Sequence, residues 1–169
     1  MRRQRRRQGE RAAATLNGQS GVFQDRPPPG SLPVTEQVIS EIVSLPLYIG
    51  MDFGMTPAAA FAQQMPNGQW RFRSEVVTER AGVITFAKLV KDHIAAFYPG
   101  FKIYRVTGDP AGNQGQIGDK DNRSVFQLLA AEGIEAEPAH TNEPTIRREA
   151  LAKPMRALID GEPGFLVHP

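Results

Sequence analysis

The sequence contains no cysteine among its 169 residues. A chain without thiols forms no disulfide framework, binds no zinc through thiolates and has no cysteine nucleophile. It also lacks any run approaching the roughly 18 consecutive apolar residues of a membrane span, and its basic start leads into polar residues instead of the apolar core of a signal peptide. We therefore expect a soluble, cytoplasmic protein.

Excess basic charge is confined to the amino-terminal segment, although the pI of the whole sequence is about 9.1. Residues 1–45 contain seven arginines and four acidic residues, whereas residues 46–169 contain thirteen basic and fourteen acidic residues. An arginine run at a terminus is more often solvated than bound to phosphates. The charge alone therefore does not identify a nucleic-acid-binding protein.

Residues 1–45 have few large apolar side chains before Val34 and include three consecutive prolines. This composition predicts a flexible leader, because little apolar surface is available to offset the entropy lost on ordering. Apolar residues at helical spacing predict one loosely attached helix over residues 34–43. The folded domain is expected over residues 46–169, a length that suits a single hydrophobic core.

Three consecutive strands are predicted at the start of this domain. The run LYIGMDF, residues 47–53, is bounded by proline and glycine and is typical of a buried strand. The segments AAAFAQQM and QWRFRSEVVTE follow, separated by a Pro-Asn-Gly turn at residues 66–68. Because Asn-Gly between apolar-bearing runs is a strong hairpin signal, residues 47–79 are predicted to form an antiparallel meander.

Helices and strands alternate along the rest of the chain. Apolar residues recur at three- and four-residue spacing across Gly82 to Tyr98, which predicts an amphipathic helix. The further predicted elements are a strand over residues 101–108, a helix over 124–132, a strand over 134–139, a helix over about 145–159 with Gly161 at its end, and a strand over 165–167. This order is that of an α/β ribonuclease-H-like mixed sheet, a three-strand antiparallel meander followed by parallel strands, with flanking helices.

Two aspartates are candidate catalytic residues because of this topology. The first strand of such a sheet is central, and the strand after the first helix pairs with it in parallel. Asp52 and Asp109 end these two strands, so they are expected on neighbouring strands about 4.8 Å apart. Carboxylates this close repel each other unless a cation lies between them, and hard oxygen ligands favour Mg²⁺ or Mn²⁺. Such ions in pairs hydrolyse phosphodiesters, although each aspartate alone also fits an ordinary turn.

Five segments carry a resemblance to a known family. They are IGMDFGMTPAAAFAQ, QWRFRSEVVTE, VTGDPAGNQ, FQLLAAEGIEAEPAHTNEPTIRREAL and GEPGFLVHP. In order and spacing they resemble the nuclease domain of phage terminase large subunits over residues 46–169. The resemblance implies a metal-dependent endonuclease that cuts concatemeric double-stranded viral DNA, with Asp52 and Asp109 as its first and second catalytic, metal-binding carboxylates.

The resemblance also implies components that residues 1–169 do not contain. The family's third carboxylate lies on a later helix, and no Gly-x-x-x-x-Gly-Lys-Ser/Thr loop of an ATPase motor occurs in the sequence. We therefore expect an incomplete two-metal site for Mg²⁺ or Mn²⁺ and weak nuclease activity of this chain alone. The implied partners are double-stranded DNA, the terminase ATPase domain, the small terminase subunit and the portal, in the cytoplasm of a bacterial host.

Several other polar residues are candidates for a place near the site. Four basic residues are candidates for guiding the DNA backbone, namely Lys120, Arg123, Arg147 and Arg148. Glu75 is interpreted as a solvated strand residue. If the third metal ligand lies within residues 1–169, the candidates for it are Glu75, Asp119 and Asp121. The glycine-rich segment PAGNQGQIGDK is interpreted as a mobile loop beside the metal site. The three histidines show no ligand spacing and receive no role.

Two other interpretations stay open at this point. Asp52 and the four residues after it also resemble the first phosphate loop of the actin and sugar-kinase fold, which would bind ATP. That fold needs a second nucleotide-binding half, for which 169 residues leave little room. The other alternative is a non-catalytic remnant of the nuclease domain, which folds but does not cut DNA.

Overall fold

The structure is a computed structural model that describes residues 42–114 and 120–169. Its main strands are β1 (Leu47–Asp52), β2 (Ala58–Gln64), β3 (Trp70–Val77), β4 (Ile103–Gly108), β5 (Glu137–Pro138) and β8 (Phe165–Val167). Its helices are α1 (Val83–Phe97), α2 (Val125–Ala131) and α3 (Pro144–Arg156), and a small hairpin is formed by β6 (Leu158–Ile159) and β7 (Glu162–Pro163). In the described residues no helix is long and apolar enough to cross a membrane.

The six main strands form one mixed sheet in the order β5-β4-β1-β2-β3-β8. The pairs β1–β2 and β2–β3 are antiparallel, which confirms the predicted meander. The pairs β1–β4, β4–β5 and β3–β8 are parallel. The ribonuclease-H-like fold class is confirmed, with β1 between β2 and β4.

The hydrophobic core lies on one face of this sheet, under α1 and α2. Alternate residues of β1 point into it and their neighbours point to the opposite face, as the two-residue period of a strand requires. The largest fully buried side chains that fill this core are Leu47, Ile49, Phe61, Phe86, Val90 and Leu129. The other face carries Gly50 and Asp52, so the site candidates lie on the side away from the core.

A polar network joins the core face of β3 to α1. The Ser74 hydroxyl lies 2.8 Å from Nε2 of His93 and 2.5 Å from the Tyr98 hydroxyl. The His93 ring also packs against Phe61 and Phe97, and burial lowers the pKa of His93 from its ordinary value. The network explains His93 as a structural residue of the α1 packing.

Three details of the chain differ from the sequence-based expectations. The helix predicted to about residue 159 ends at Arg156, because the chain turns into the β6–β7 hairpin. Gly161, with φ of +85°, belongs to the turn of that hairpin and does not end the helix. The strand predicted over residues 134–139 is only two residues long, Glu137–Pro138. The predicted leader and its helix over residues 34–43 lie outside the described residues except for residues 42–45, and the middle of the glycine-rich loop, residues 115–119, also lies outside them.

Candidate active site

Parallel pairing of β1 and β4 brings the two candidate aspartates together. Gly50 pairs with Thr107 and Met51 pairs with Gly108, so Asp52 and Asp109 leave the sheet at the same edge. The ladder extends one step further, because the backbone N–H of Asp109 donates to the carbonyl of Met51 at 3.3 Å. The structure thus places both candidate residues at neighbouring strand ends, where the predicted topology of the sheet puts them.

Backbone donors hold one oxygen of each carboxylate. The Oδ1 atom of Asp52 accepts from the N–H of Phe53 at 2.9 Å. The Oδ1 atom of Asp109 accepts from the N–H of Ala111 at 2.8 Å and thereby caps a short 3-10 turn, Pro110–Asn113. Both side chains are therefore oriented by their own turns, which leaves the Oδ2 atoms for other partners.

A partly buried aromatic ring supports the two turns from below. Phe53 packs edge-on against Phe126 of α2 with 5.5 Å between ring centroids. A Cβ at Gly108 would overlap the Phe53 ring, and one at Gly112 would lie 2.8 Å from it. Only glycine at these positions lets the ring lie beneath the Asp109 turn. This role was not predicted from the sequence. The glycines on both sides of Asp109, Gly108 and Gly112, could have indicated a close approach of another side chain.

The two aspartates line one open cavity of about 350 Å³. Glu75 reaches the same cavity from β3, because it pairs with Ala60, which in turn pairs with Gly50. The residues between Glu75 and the aspartates, Gly50, Ala58 and Ala60, have small side chains and therefore leave the cavity open. Glu75 is exposed, in agreement with a solvated strand residue, and it also lies on the wall of the cavity that contains the aspartates.

Arg147 is the cationic residue on the cavity wall. Its Nη1 atom lies 3.6 Å from Oδ2 of Asp109 and donates to Oδ1 of Asn142 at 2.7 Å. The first turn of α3 holds it there, since the Glu143 carboxylate caps the helix by accepting from the N–H groups of Thr145 and Ile146. The hydrogen bond from the Ile146 N–H, and to a smaller extent that from the Thr145 N–H, lower the pKa of Glu143.

The other three basic candidates lie away from this cavity. Arg148 is on a different side of α3, in a surface depression with Thr145 and Met155. Arg123 forms an ion pair with Asp121, with 3.7 Å between Nε and Oδ2. Lys120 is exposed on the turn that precedes them. The structure therefore brings one of the four predicted cations, Arg147, to the aspartates.

Comparison with known proteins shows which fold this is. No protein-family model and no curated protein matches the sequence. The large terminase from one thermophilic bacteriophage matches in structure with a TM-score of 0.55 and 15% identity, over 78% of this chain and 31% of that one. The large terminase nuclease from a second thermophilic phage, G20c, matches with a TM-score of 0.51 and 16% identity, over 81% of this chain and 68% of that one. The fold is that of a large-terminase nuclease domain.

The chain spans 31% of the length of the first of these large terminases. Within the described parts of that fold, no group of three or more histidine or acidic side chains is arranged to hold a metal ion. Asp52 and Asp109 supply two carboxylates at one edge, and carboxylate oxygen is the donor type that Mg²⁺ and Mn²⁺ prefer. The donor set present at this terminase-like edge therefore fits a divalent cation through two side chains.

Proposed function

We propose that this chain is the metal-dependent nuclease module of a viral DNA-packaging terminase. The observation that carries the proposal is the placement of Asp52 and Asp109 at neighbouring strand ends, on one cavity, in a fold like that of large-terminase nucleases. The substrate is double-stranded DNA in concatemeric form, and the reaction is hydrolysis of its phosphodiester bonds. The resemblance of the sequence segments around both aspartates supports this assignment.

Asp52 and Asp109 are the residues that hold Mg²⁺ or Mn²⁺ in this proposal. Two carboxylates on adjacent strands repel each other, and a divalent cation between them removes that repulsion. Their Oδ1 atoms are already oriented by backbone N–H groups, so binding costs little side-chain ordering. When bound, divalent ions would polarise the scissile phosphate and activate a water molecule for hydrolysis.

The cavity wall supplies the remaining interactions with DNA. Arg147 lies beside Asp109, where its guanidinium is placed to contact a phosphate oxygen next to the scissile bond. Lys120, Arg123 and Arg148 are further away and would contact the backbone at more distant phosphates. Glu75, on the wall formed by β3, would orient water and not the phosphate, because its charge repels phosphate.

The wider assembly follows from the same proposal. As a nuclease module, the chain would work with a terminase ATPase domain, a small terminase subunit and a portal in the cytoplasm of a bacterial host. Two side-chain ligands would hold one ion well and a second ion weakly, since a two-metal site needs more ligands in fixed geometry. We therefore expect the isolated chain to be a slow nuclease.

Plasmid nicking with Mn²⁺, together with Mn²⁺ titration calorimetry, tests the proposal. Asp52→Asn and Asp109→Asn should each remove nicking and weaken Mn²⁺ binding. Asp92→Asn is the matched control, because Asp92 is an exposed residue paired with Lys88 on α1. Equal Mn²⁺ affinity of all four proteins would refute the metal site.

Two further outcomes of this experiment identify the alternatives. Mn²⁺ binding at the aspartates with no nicking at any enzyme concentration would indicate the non-catalytic remnant. Stoichiometric ATP binding that Asp52→Asn abolishes would indicate the phosphate-binding fold of the actin and sugar-kinase type. Either result would contradict the proposed nuclease function of the chain.

A further inference from the structure

Arg147 makes a direct ion pair with one of the two proposed metal ligands. Its Nη1 atom is 3.6 Å from Oδ2 of Asp109, the oxygen that the backbone of the 3-10 turn does not hold. The guanidinium is kept at that place by the 2.7 Å hydrogen bond from Nη1 to Oδ1 of Asn142. A positive charge therefore already lies beside the Oδ2 atom of Asp109.

The two partners differ in how easily they can move. The side chain of Asp109 is 17% exposed and that of Arg147 is 54% exposed. Asp109 is fixed by the hydrogen bond to Ala111, whereas the long Arg147 side chain is half-exposed and its guanidinium is held by the exposed side chain of Asn142. An exposed ion pair of this kind is weak, so the guanidinium can leave Asp109 at small cost while Asp109 stays in place.

We propose that Arg147 is a built-in competitor of the metal ion at Asp109 and therefore a positioning residue that sets metal affinity. This inference rests on the proposed function, in which Asp109 is a metal ligand. The guanidinium neutralises Asp109 before metal binds and must move away from Oδ2 when a divalent cation takes that oxygen. The displaced guanidinium stays on the cavity wall, where it is available to a DNA phosphate.

Coulomb repulsion sets the size of the effect. A single and a double positive charge about 6 Å apart in water repel each other by an energy equivalent to a factor of about ten in affinity. Removing the Arg147 charge should therefore tighten metal binding by about tenfold. A residue that only kept Asp109 in its correct rotamer would have the opposite effect, because its loss would weaken metal binding.

The test is the dissociation constant for Mn²⁺ alone, measured by calorimetry on the whole chain without DNA. Arg147→Ala should bind Mn²⁺ about tenfold more tightly than the wild type at low ionic strength, and this gain should shrink at about 1 M salt, where charges are screened. Arg147→Lys keeps the charge and should bind Mn²⁺ with nearly wild-type affinity. Thermal melts of each variant show that it is folded.

Arg148→Ala is the matched control, since it removes the same charge from the next residue of α3 but lies outside the cavity. Equal tightening by Arg147→Ala and Arg148→Ala would overturn the proposal, because it would show an effect of net charge. Unchanged or weaker Mn²⁺ binding by Arg147→Ala would also overturn it. If Asp109→Asn weakens Mn²⁺ binding in the same experiment, the metal site stands and only the role of Arg147 fails.

Discussion

The ring of Phe53 occupies the space that a side chain at Gly108 would need. Gly108 is the last residue of β4 and directly precedes Asp109, while Phe53 directly follows Asp52. The packing of these two residues therefore couples the turns that present the two carboxylates. The candidate site depends on this contact below the sheet edge as much as on the aspartates themselves.

Gly108→Ala should destabilise the protein by about 1–3 kcal/mol, the usual cost of forcing extra volume into a packed position. Urea unfolding measures this change. Gly50→Ala is the control, because a Cβ at Gly50 meets nothing within 4 Å, and it should change stability by less than about 0.5 kcal/mol. Equal stability of the two variants would show that Phe53 moves aside without cost.

Glu75→Gln should weaken Mn²⁺ binding by only about twofold, against about tenfold for Asp52→Asn. The reason is distance, since β3 lies two strands from β1 and strands are about 4.8 Å apart. Calorimetry with Mn²⁺ measures both constants. A loss as large as that of Asp52→Asn would mean that Glu75 is a direct ligand and supplies the third carboxylate from within this chain.

His93 should make the protein less stable in mild acid. Burial lowers the pKa of His93 below its ordinary value of 6.5, so the unfolded state binds more protons than the folded state as the pH falls below that value. The free energy of unfolding therefore decreases from about pH 7 towards pH 5. Urea midpoints across this range should show the decrease, and His93→Gln should reduce it.

Glu143→Ala should loosen the start of α3 and with it the position of Arg147. The N–H groups of Thr145 and Ile146 lose their carboxylate acceptor in this variant and should exchange with solvent faster. Hydrogen exchange at these two residues measures the effect, and Glu149→Ala on the same helix is the control. Unchanged exchange in Glu143→Ala would contradict a capping role.

The same cap has a defined pH dependence. Because the pKa of Glu143 is lowered in the folded state, its contribution is complete above the ordinary value of 4.5 and is lost as the pH falls through the folded-state value. The protection factors of the Thr145 and Ile146 N–H groups, which divide the intrinsic exchange rate at each pH by the observed rate, should therefore fall in acid in the wild type. The protection factors of Glu143→Ala should lack this decrease. Identical pH profiles of the two proteins would rule the mechanism out.

Local patterns were sufficient to predict most elements of the fold. The apolar run before Asp52 and the Asn-Gly turn at residues 67–68 predicted the meander, and the three- and four-residue spacing predicted α1, which the structure has at Val83–Phe97. The end of α3 was predicted wrongly, since Pro154 and Gly161 are compatible with a kinked helix and also with the hairpin that forms. Periodicity alone does not distinguish these two outcomes.

The sequence by itself determined that Asp52 and Asp109 lie at the ends of two strands, because hydrophobic periodicity and turn residues are local properties of the chain. Only the tertiary structure decided which other charges join them. A register shift between Phe61 and Ala62 turns Glu75 to the face of Ala60 and the cavity, against the simple two-residue alternation of β3. Arg147 reaches Asp109 only through the tertiary fold, a contact between residues 38 positions apart that no local pattern encodes.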